Sequence, residues 1–354
     1  MRRSLLAGLL ALAPLAAQGD VIVGSWNIKH LGWNNDKAVG QVAHVADHFD
    51  LLAIQELMDP AALESLEVEL EALSGEAWSS MASHALGRSS YEEHYGFLWR
   101  ESEVAYEDGA VVFIDHGDVF SREPYSARFR DVENDTLFTA ATVHVVYGDS
   151  VGDRLPEIAA LADYWQWLGE VHADTPRLLM GDFNLAPDHA GWAPLRERGA
   201  VPAVTEGAST LATTAGRYAN LYDNLWYDAE RLAPDDQGVL RFPELLPMAH
   251  QEARERISDH VPVYVALNGA TLERQAADGG ELMASRGGPG CIDLNASGAE
   301  RLAELPHVGP ARAEAIISGR PWRAPGELTR ISGIGEGRLA AIRGSGLLCG
   351  GEQG

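Results

Sequence analysis

Six stretches of the chain place, at one end of an apolar run, a residue able to bind a cation or move a proton. Asn27 follows VIVGSW, Glu56 follows LLAIQ, and His144 follows AATV. Asp182 and Asn184 follow RLLMG, Asp223 sits within NLYDNLWY, and Asp259 and His260 precede VPVYV. One polar residue at a strand end is ordinarily a turn former. Six such ends, supplying amides, carboxylates and imidazoles, become a site if one rim of a sheet sandwich gathers them. Glu56, Asp182 and Asp259, with Asn27 and Asn184, offer hard oxygen ligands suited to Mg²⁺, Ca²⁺ or Mn²⁺. This part of the chain has no cysteine, which excludes a thiolate zinc centre. His144 and His260 titrate near neutrality and can exchange protons beside carboxylate partners. Carboxylates, a hard cation and two histidines fit metal-assisted hydrolysis of a phosphate ester. Hydride or acyl transfer would need a Gly-rich dinucleotide loop or an activated Ser or Cys, and neither motif is present.

The elements that must position these groups read as α/β (α+β). Residues 21–23, 51–54, 111–114, 138–146, 178–180 and 261–265 form β-type runs. Helical spacing is best from Pro156 to Val171, where Ile158, Leu161, Trp165 and Leu168 share a face. Many strands with few helices predict a two-sheet β-sandwich flanked by helices over 20–267. Residues 268–290, with six glycines and little apolar content, predict a flexible linker. Beyond it, 291–350 reads as a small all-α domain of two similar halves. Leu302, Leu305, Val308, Ala313, Ile316 and Ile317 pattern the first half; Leu328, Ile331, Ile334, Leu339 and Ile342 pattern the second.

At the N-terminus, Arg2 and Arg3 precede an apolar run from Leu5 to Ala17, and Ala17-Gln18-Gly19 offers small residues two apart. That outline predicts a signal peptide over 1–19, and hence a secreted or periplasmic protein. The run is too short to span a bilayer. In an exported chain the two cysteines, Cys291 and Cys349, predict one disulfide that stabilises the C-terminal segment by ~4 kcal/mol. With 52 Asp+Glu against 27 Lys+Arg, the 354 residues carry a formal charge of -25, and only Lys29 and Lys37 are lysines. Such a surface favours a soluble monomer and would ordinarily argue against a polyanionic partner. The excess is uneven: 291–349 holds seven arginines against six carboxylates and is near +1.

The strings SWNIKHLG, AIQEL, TVHVV, GDFNL, LYDNLWY and ISDHVPV resemble, in order and spacing, the endonuclease/exonuclease/phosphatase superfamily. GRSSYEEHYGFLWR (87–100) and FSREP (120–124) further resemble its deoxyribonuclease I branch. The resemblance implies that Glu56 is the main metal ligand, with Asn27 and Asp259 beside it. It implies that His260, oriented by Asp223, activates water, and that His144, held by Glu93, donates a proton to the leaving oxygen or binds the phosphate. Asp182 and Asn184 would steer phosphate and water. Tyr91, Arg88 and Arg122 would contact the DNA backbone and minor groove, with Lys29 on phosphate where an arginine is expected. Two further departures are Met58, which follows QEL where that branch has a groove-inserting arginine, and the lack of cysteine in 101–120.

The C-terminal strings DLNASGAERLAELPHVGPARAEAII and LTRISGIGEGRLAAI resemble tandem helix-hairpin-helix modules of competence DNA-uptake proteins. Gly309, Gly333 and Gly335 would let backbone N–H groups approach phosphate at helix N-termini without lysines, although His307 replaces a glycine in the first hairpin. The resemblance therefore implies an exported, metal-dependent DNA endonuclease with a DNA-capture appendage. Competing readings are a phosphodiesterase or phosphatase of the same superfamily acting on phospholipid or phosphoinositide, and a non-catalytic DNA receptor. A receptor would have lost Glu56, His144 or His260, and all three are present.

Overall fold

The computed structural model describes residues 21–33 and 36–272, then 292, 294, 297–303, 305–320, 322, 325–331, 333–345 and 347–348. The signal-peptide expectation (1–19), most of the expected linker and both cysteines lie outside the described residues. The chain divides into two compact units, Met1–Glu273 and Arg274–Gly354.

The first unit holds two six-stranded sheets. In chain order the strands are β1 (Val21–Leu31), β2 (Leu51–Leu57), β3 (Trp78–Ala82), β4 (His94–Arg100), β5 (Val104–Val112), β6 (Tyr125–Asp131), β7 (Thr136–His144), β8 (Arg177–Asp182), β9 (Ala200–Pro202), β10 (Asp223–Asp228), β11 (Asp236–Val239) and β12 (Val263–Leu267). One sheet runs β11-β12-β1-β2-β4-β3 and the other β5-β6-β7-β8-β10-β9. Both follow one rule: the central pair is parallel (β1 with β2, β7 with β8) and the other neighbours are antiparallel. Parallel neighbours need a crossover. Helix α1 (Val39–Ala46) provides it in the first sheet and α3 (Val151–Val171) in the second; α2 (Pro60–Ser74), α4 (Ala193–Glu197) and α5 (His250–Arg256) complete the unit.

Alternation along the strands sorts side chains into three cores. Val21, Val23, Leu51, Ala53, Phe97, Phe129, Met180 and Val265 lie in one buried cluster, formed from strands of both sheets. Trp26, Ile28, Leu52 and Ile54 pack with α1 and α2, while Ala141, Val143, Leu179 and Trp226 pack with α3 and α4. The alternate positions that begin β1 as Val21 and Val23 continue as Ser25 and Asn27, and those of β2 run Leu51, Ala53, Gln55. The face that starts apolar therefore ends polar, at the C-terminal ends of the parallel strands.

Local signals set the boundaries. Asp59 caps α2 by accepting from Ala61 N (3.0 Å), Pro60 opens it, and Gly75 closes it at φ 73°. The helix expected from Pro156 begins one turn earlier, because Ser150 and Asp153 form a reciprocal capping box. The expected linker also starts too early at 268. Ala270 and Leu272 are buried, Asn268 Nδ2 donates to Asp131 Oδ2 (2.6 Å), and Gly269 N donates to Asp235 Oδ2 (2.8 Å), so packing continues to Leu272.

The second unit has its own core of Leu302, Leu305, Val308, Ala313, Ile316, Leu328, Ile334, Leu339 and Ile342. It contains α6 (Ala299–Leu302), α7 (Pro310–Ser318) and α8 (Glu336–Gly344), with a 3₁₀ turn at Pro325–Arg330. The repeat visible in the sequence is repeated in geometry. His307 (φ 61°) and Gly333 (φ 86°) take left-handed backbone. Gly309 and Gly335 are the N-caps of α7 and α8. Arg312 Nη1 donates to His307 O and Arg338 Nη1 to Gly333 O, both at 2.7 Å.

Candidate active site

The strand register brings the expected residues to one rim. Asn27 pairs with Gln55, and His144 with Asp182, across the two parallel seams. Asp223, at the start of antiparallel β10, lies opposite Asp182. Asp259 and His260 lie just before β12, separated from it by Val261 and Pro262.

Backbone strain concentrates here. Lys29, His30, Glu56 and Asn184 all have positive φ, between 40° and 58°. Such conformations cost on the order of 1 kcal/mol each for non-glycine residues and persist where surrounding structure fixes them. Gly181, at φ 149°, has no alternative, because a Cβ would lie 1.9 Å from Val143 O. That close approach sets Asp182 beside the end of β7.

Two carboxylate–imidazole pairs form the centre. Glu93 Oε1 is 2.8 Å from His144 Nδ1, and Asp223 Oδ2 is 2.8 Å from His260 Nδ1. Both Nε2 atoms lie 3.6 Å from the same oxygen, Asp182 Oδ2. Asn27 Nδ2 donates to that oxygen (3.1 Å) and to Glu56 Oε1 (2.9 Å), linking the two sheets. Beneath them Gln55 Nε2 donates to Ser25 Oγ (3.2 Å) on its own sheet and to Thr142 Oγ1 (2.8 Å) on the other. Asn184 holds Asp182 through its backbone N–H (2.9 Å to Oδ1), and its side chain donates to Val145 O (2.9 Å).

The protonation states follow from these contacts. Burial opposes charge on Glu93, but His144 and Arg122 outweigh it and hold its carboxyl below the usual range. Burial opposes the His144 imidazolium too, and Glu93 overcomes it, so its pKa is raised. His260 is raised to about 10, because Asp223, Asp182 and Asp259 surround it and outweigh its burial. Fully buried Asp223 is itself pushed upward by desolvation. Asp259 titrates lower than usual despite burial, held down by His260, Lys29 and Arg254. Lys29 Nζ lies 3.0 Å and Arg254 Nη2 3.2 Å from its Oδ2.

Asp182, Asp223 and His260 offer one ligand atom each, mutually within 4.8 Å, and form a group able to hold a metal ion. Asp223 Oδ1 is buried with no hydrogen-bond partner. Two carboxylates and an imidazole, with one carboxylate oxygen unsatisfied, fit a divalent cation. Glu56 and Asp259, expected as ligands from sequence, are not members of this group.

Arg122 differs from expectation. Instead of reaching out toward a ligand, its half-buried guanidinium pairs with Glu93 (2.9 Å) and donates to His144 O (3.0 and 3.2 Å), which positions the Glu93–His144 pair. Arg88 is half-exposed and bonds Asp118 (2.9 Å). Tyr91 does stand at the site, its hydroxyl donating to Glu93 Oε2 (3.4 Å).

The family profile described as Endonuclease/Exonuclease/phosphatase matches residues 24–260. The chain belongs to this family. It is similar to a deoxyribonuclease of Thioalkalivibrio sp. (strain K90mix), 49% identical over 350 residues, 96% of each chain. It is also similar to deoxyribonuclease-1-like 2 of Homo sapiens, 29% identical over 294 residues covering 75% of this chain and 97% of that one. Among solved structures, humanised D. rerio TDP2 matches with a TM-score of 0.53 at 19% identity, over 71% of this chain and 99% of that one, a likeness of fold.

Some buttresses of this family site escaped sequence reasoning. Ser258 Oγ donates to Asn27 O (2.6 Å) and accepts from His260 N (3.0 Å), and Trp26 Nε1 donates to His260 O (2.8 Å). Lys37 Nζ donates to Ile28 O (2.8 Å) and Ile257 O (2.5 Å). Each ties the first motif to the last across more than two hundred residues. Only the rarity of lysine pointed to any of them.

Proposed function

We propose that the protein is an exported, monomeric, divalent-metal-dependent endonuclease that hydrolyses DNA phosphodiester bonds without strong sequence preference. The observation that carries the reading is the pair of carboxylate-held histidines whose Nε2 atoms both reach 3.6 Å from Asp182 Oδ2. That arrangement supports water activation on one side of a phosphate and proton delivery on the other. The similarity to named deoxyribonucleases selects DNA as the ester.

The carboxylates of Glu56 and Asp182, linked through Asn27, are the residues that would hold the cation, which leaves His260 Nε2 free to take a proton. Bound there, a divalent cation supplies positive charge that neutralises phosphate and offsets the carboxylates around His260. His260, oriented by Asp223, then accepts a proton from water at Nε2. His144, kept protonated by Glu93, delivers one to the leaving oxygen, while Asn27 and Asn184 orient the reacting groups. Export rests on the 1–19 sequence pattern. Among the described residues no helix is long and apolar enough to cross a membrane.

The second unit supports the role of a helix-hairpin-helix DNA-capture module. Gly309 and Gly335 begin α7 and α8 with open space where a side chain would stand, leaving helix N-termini approachable by phosphate. A Cys291–Cys349 disulfide would close this module. Their neighbours Ile292 and Leu348 form a β-bridge, and Ile292 N donates to Leu347 O (2.7 Å).

The test is incubation of purified protein with supercoiled plasmid, RNA and sphingomyelin, each with Mg²⁺, Ca²⁺, Mn²⁺ or EDTA. Plasmid nicking that EDTA abolishes and a divalent ion restores is the expected result. Hydrolysis of sphingomyelin without nicking would move the protein to the phospholipid-directed alternative.

A further inference from the structure

Two exposed aromatic side chains stand at the catalytic rim, one in the loop after β1 of the first sheet and one in the loop after β7 of the second. After β1, Trp33 is 48% exposed and stacks on His30, with ring centroids 4.2 Å apart and planes at 29°. Its edge meets Tyr91 at 5.7 Å and 86°. His30 belongs to the site: its N–H donates to Glu56 Oε2 (3.1 Å) and its Nε2 lies 3.3 Å from the same oxygen. After β7, Tyr147 is 58% exposed, three residues beyond His144. Arg154 lies over its ring at 4.3 Å and donates to Tyr147 O (2.7 Å) and Asn184 O (2.7 Å). Tyr147 also meets Tyr222, which adjoins Asp223, edge-on at 6.4 Å. Both rings are thus braced from behind by site residues and open in front.

The charges around them are spent. Lys29 and Arg254 pair with Asp259, Arg122 with Glu93, and Arg88 with Asp118. Arg154 is buried against backbone carbonyls. Met58, two residues past Glu56, adds no charge. In a chain of net charge -25, phosphate contact alone gives a weak, salt-sensitive grip. Ring faces offer the other means of holding a nucleic acid, and they bind unpaired bases best, because duplex bases are already stacked on one another.

We infer that Trp33 and Tyr147 are base-stacking residues that hold a single-stranded or locally unpaired segment of DNA across the cleft. The inference rests on the nuclease reading above and specifies its substrate. Cleavage of single-stranded DNA should therefore exceed that of duplex, and its KM should change little with salt.

The experiment measures kcat and KM for W33A, Y147A and W33F on a single-stranded oligonucleotide and the matching duplex, from low to high NaCl, with thermal melts of each variant. The expected result is a KM for the single strand raised on the order of tenfold in W33A and Y147A, with kcat within about twofold. W33F should recover most of the affinity, and duplex KM should move far less. Wild-type KM in both alanine variants would overturn the inference, as would equal losses on single strand and duplex. A loss confined to kcat would assign Trp33 to support of His30 and also overturn it. If the wild type cleaves neither DNA under any metal, the nuclease reading itself fails.

Discussion

His144 and His260 look alike in chemistry and differ in surroundings. Two carboxylates, Glu93 and Asp182, and the Arg122 guanidinium flank His144, whereas three carboxylates and no cation surround His260. Replacing either by alanine should lower plasmid nicking by ~10²–10⁴-fold with DNA binding retained; wild-type rates would refute the assignment. Glu93→Gln tests the first pair more finely. The folded pKa of His144 is raised, so its share of stability is present below 6.5 and lost as pH rises through the folded value. That of Glu93 is depressed, so its share is present above 4.5 and lost as pH falls through the folded value. The melting-temperature gap between wild type and E93Q should be widest between pH 4.5 and 6.5. The alkaline limb of the rate profile should also move to lower pH, since His144 loses the anion that keeps it protonated. An unmoved limb would remove Glu93 from that role.

At the scale of elements, the parts legible in the sequence were those with short-range causes. Apolar runs ending in Asn27, Glu56, His144 and Asp182 marked the strand ends, because burial on one side and chemistry on the other leave a sharp boundary. The start of α3 has a local cause as well, since Ser150-x-x-Asp153 is a capping signature, whereas Pro156, a residue common at helix starts, lies inside the helix. What sequence could not supply was long-range: the pairing of Arg122 with Glu93, or Ser258 with Asn27, depends on register between distant strands. A cluster of ligand atoms is likewise a matter of approach distances rather than residue type: those of Asp182, Asp223 and His260 lie mutually within 4.8 Å, and Glu56 and Asp259 stand outside that group. Two substitutions probe this scale. Ser150→Ala should cost about 1 kcal/mol in denaturant unfolding and leave nicking unchanged. Gly181→Ala should cost about 4 kcal/mol or more, because strand β8 cannot approach Val143 O with a Cβ in between. A soluble, active G181A protein of native stability would show that the close approach is dispensable.

For the whole molecule, the uneven charge sets the division of labour between the units. The first unit carries all of the excess negative charge, and the second, Arg274–Gly354, with nine arginines against nine carboxylates, is neutral. A chain ending at Glu273 should cleave short oligonucleotides at close to the full rate. Its KM for long DNA should rise, most visibly at high salt, as a tethered capture site is lost. Equal plasmid KM at every salt concentration would show that the second unit serves something other than DNA.

The matched strand order of the two sheets has a mechanical consequence. Asn27 and Glu56 come from one sheet, His144 and Asp182 from the other, so each sheet carries half a reaction centre and the seam between them carries none of it covalently. Gln55, reaching across to Thr142, is the rivet under that seam. Loosening by a fraction of an ångström, too little to expose a core aromatic, is enough to part the histidine of one half from the amide of the other. Catalysis is therefore the most fragile property of the fold: as urea is raised, turnover should vanish while tryptophan fluorescence and circular dichroism still report a native protein, and Gln55→Leu should bring that loss to lower urea.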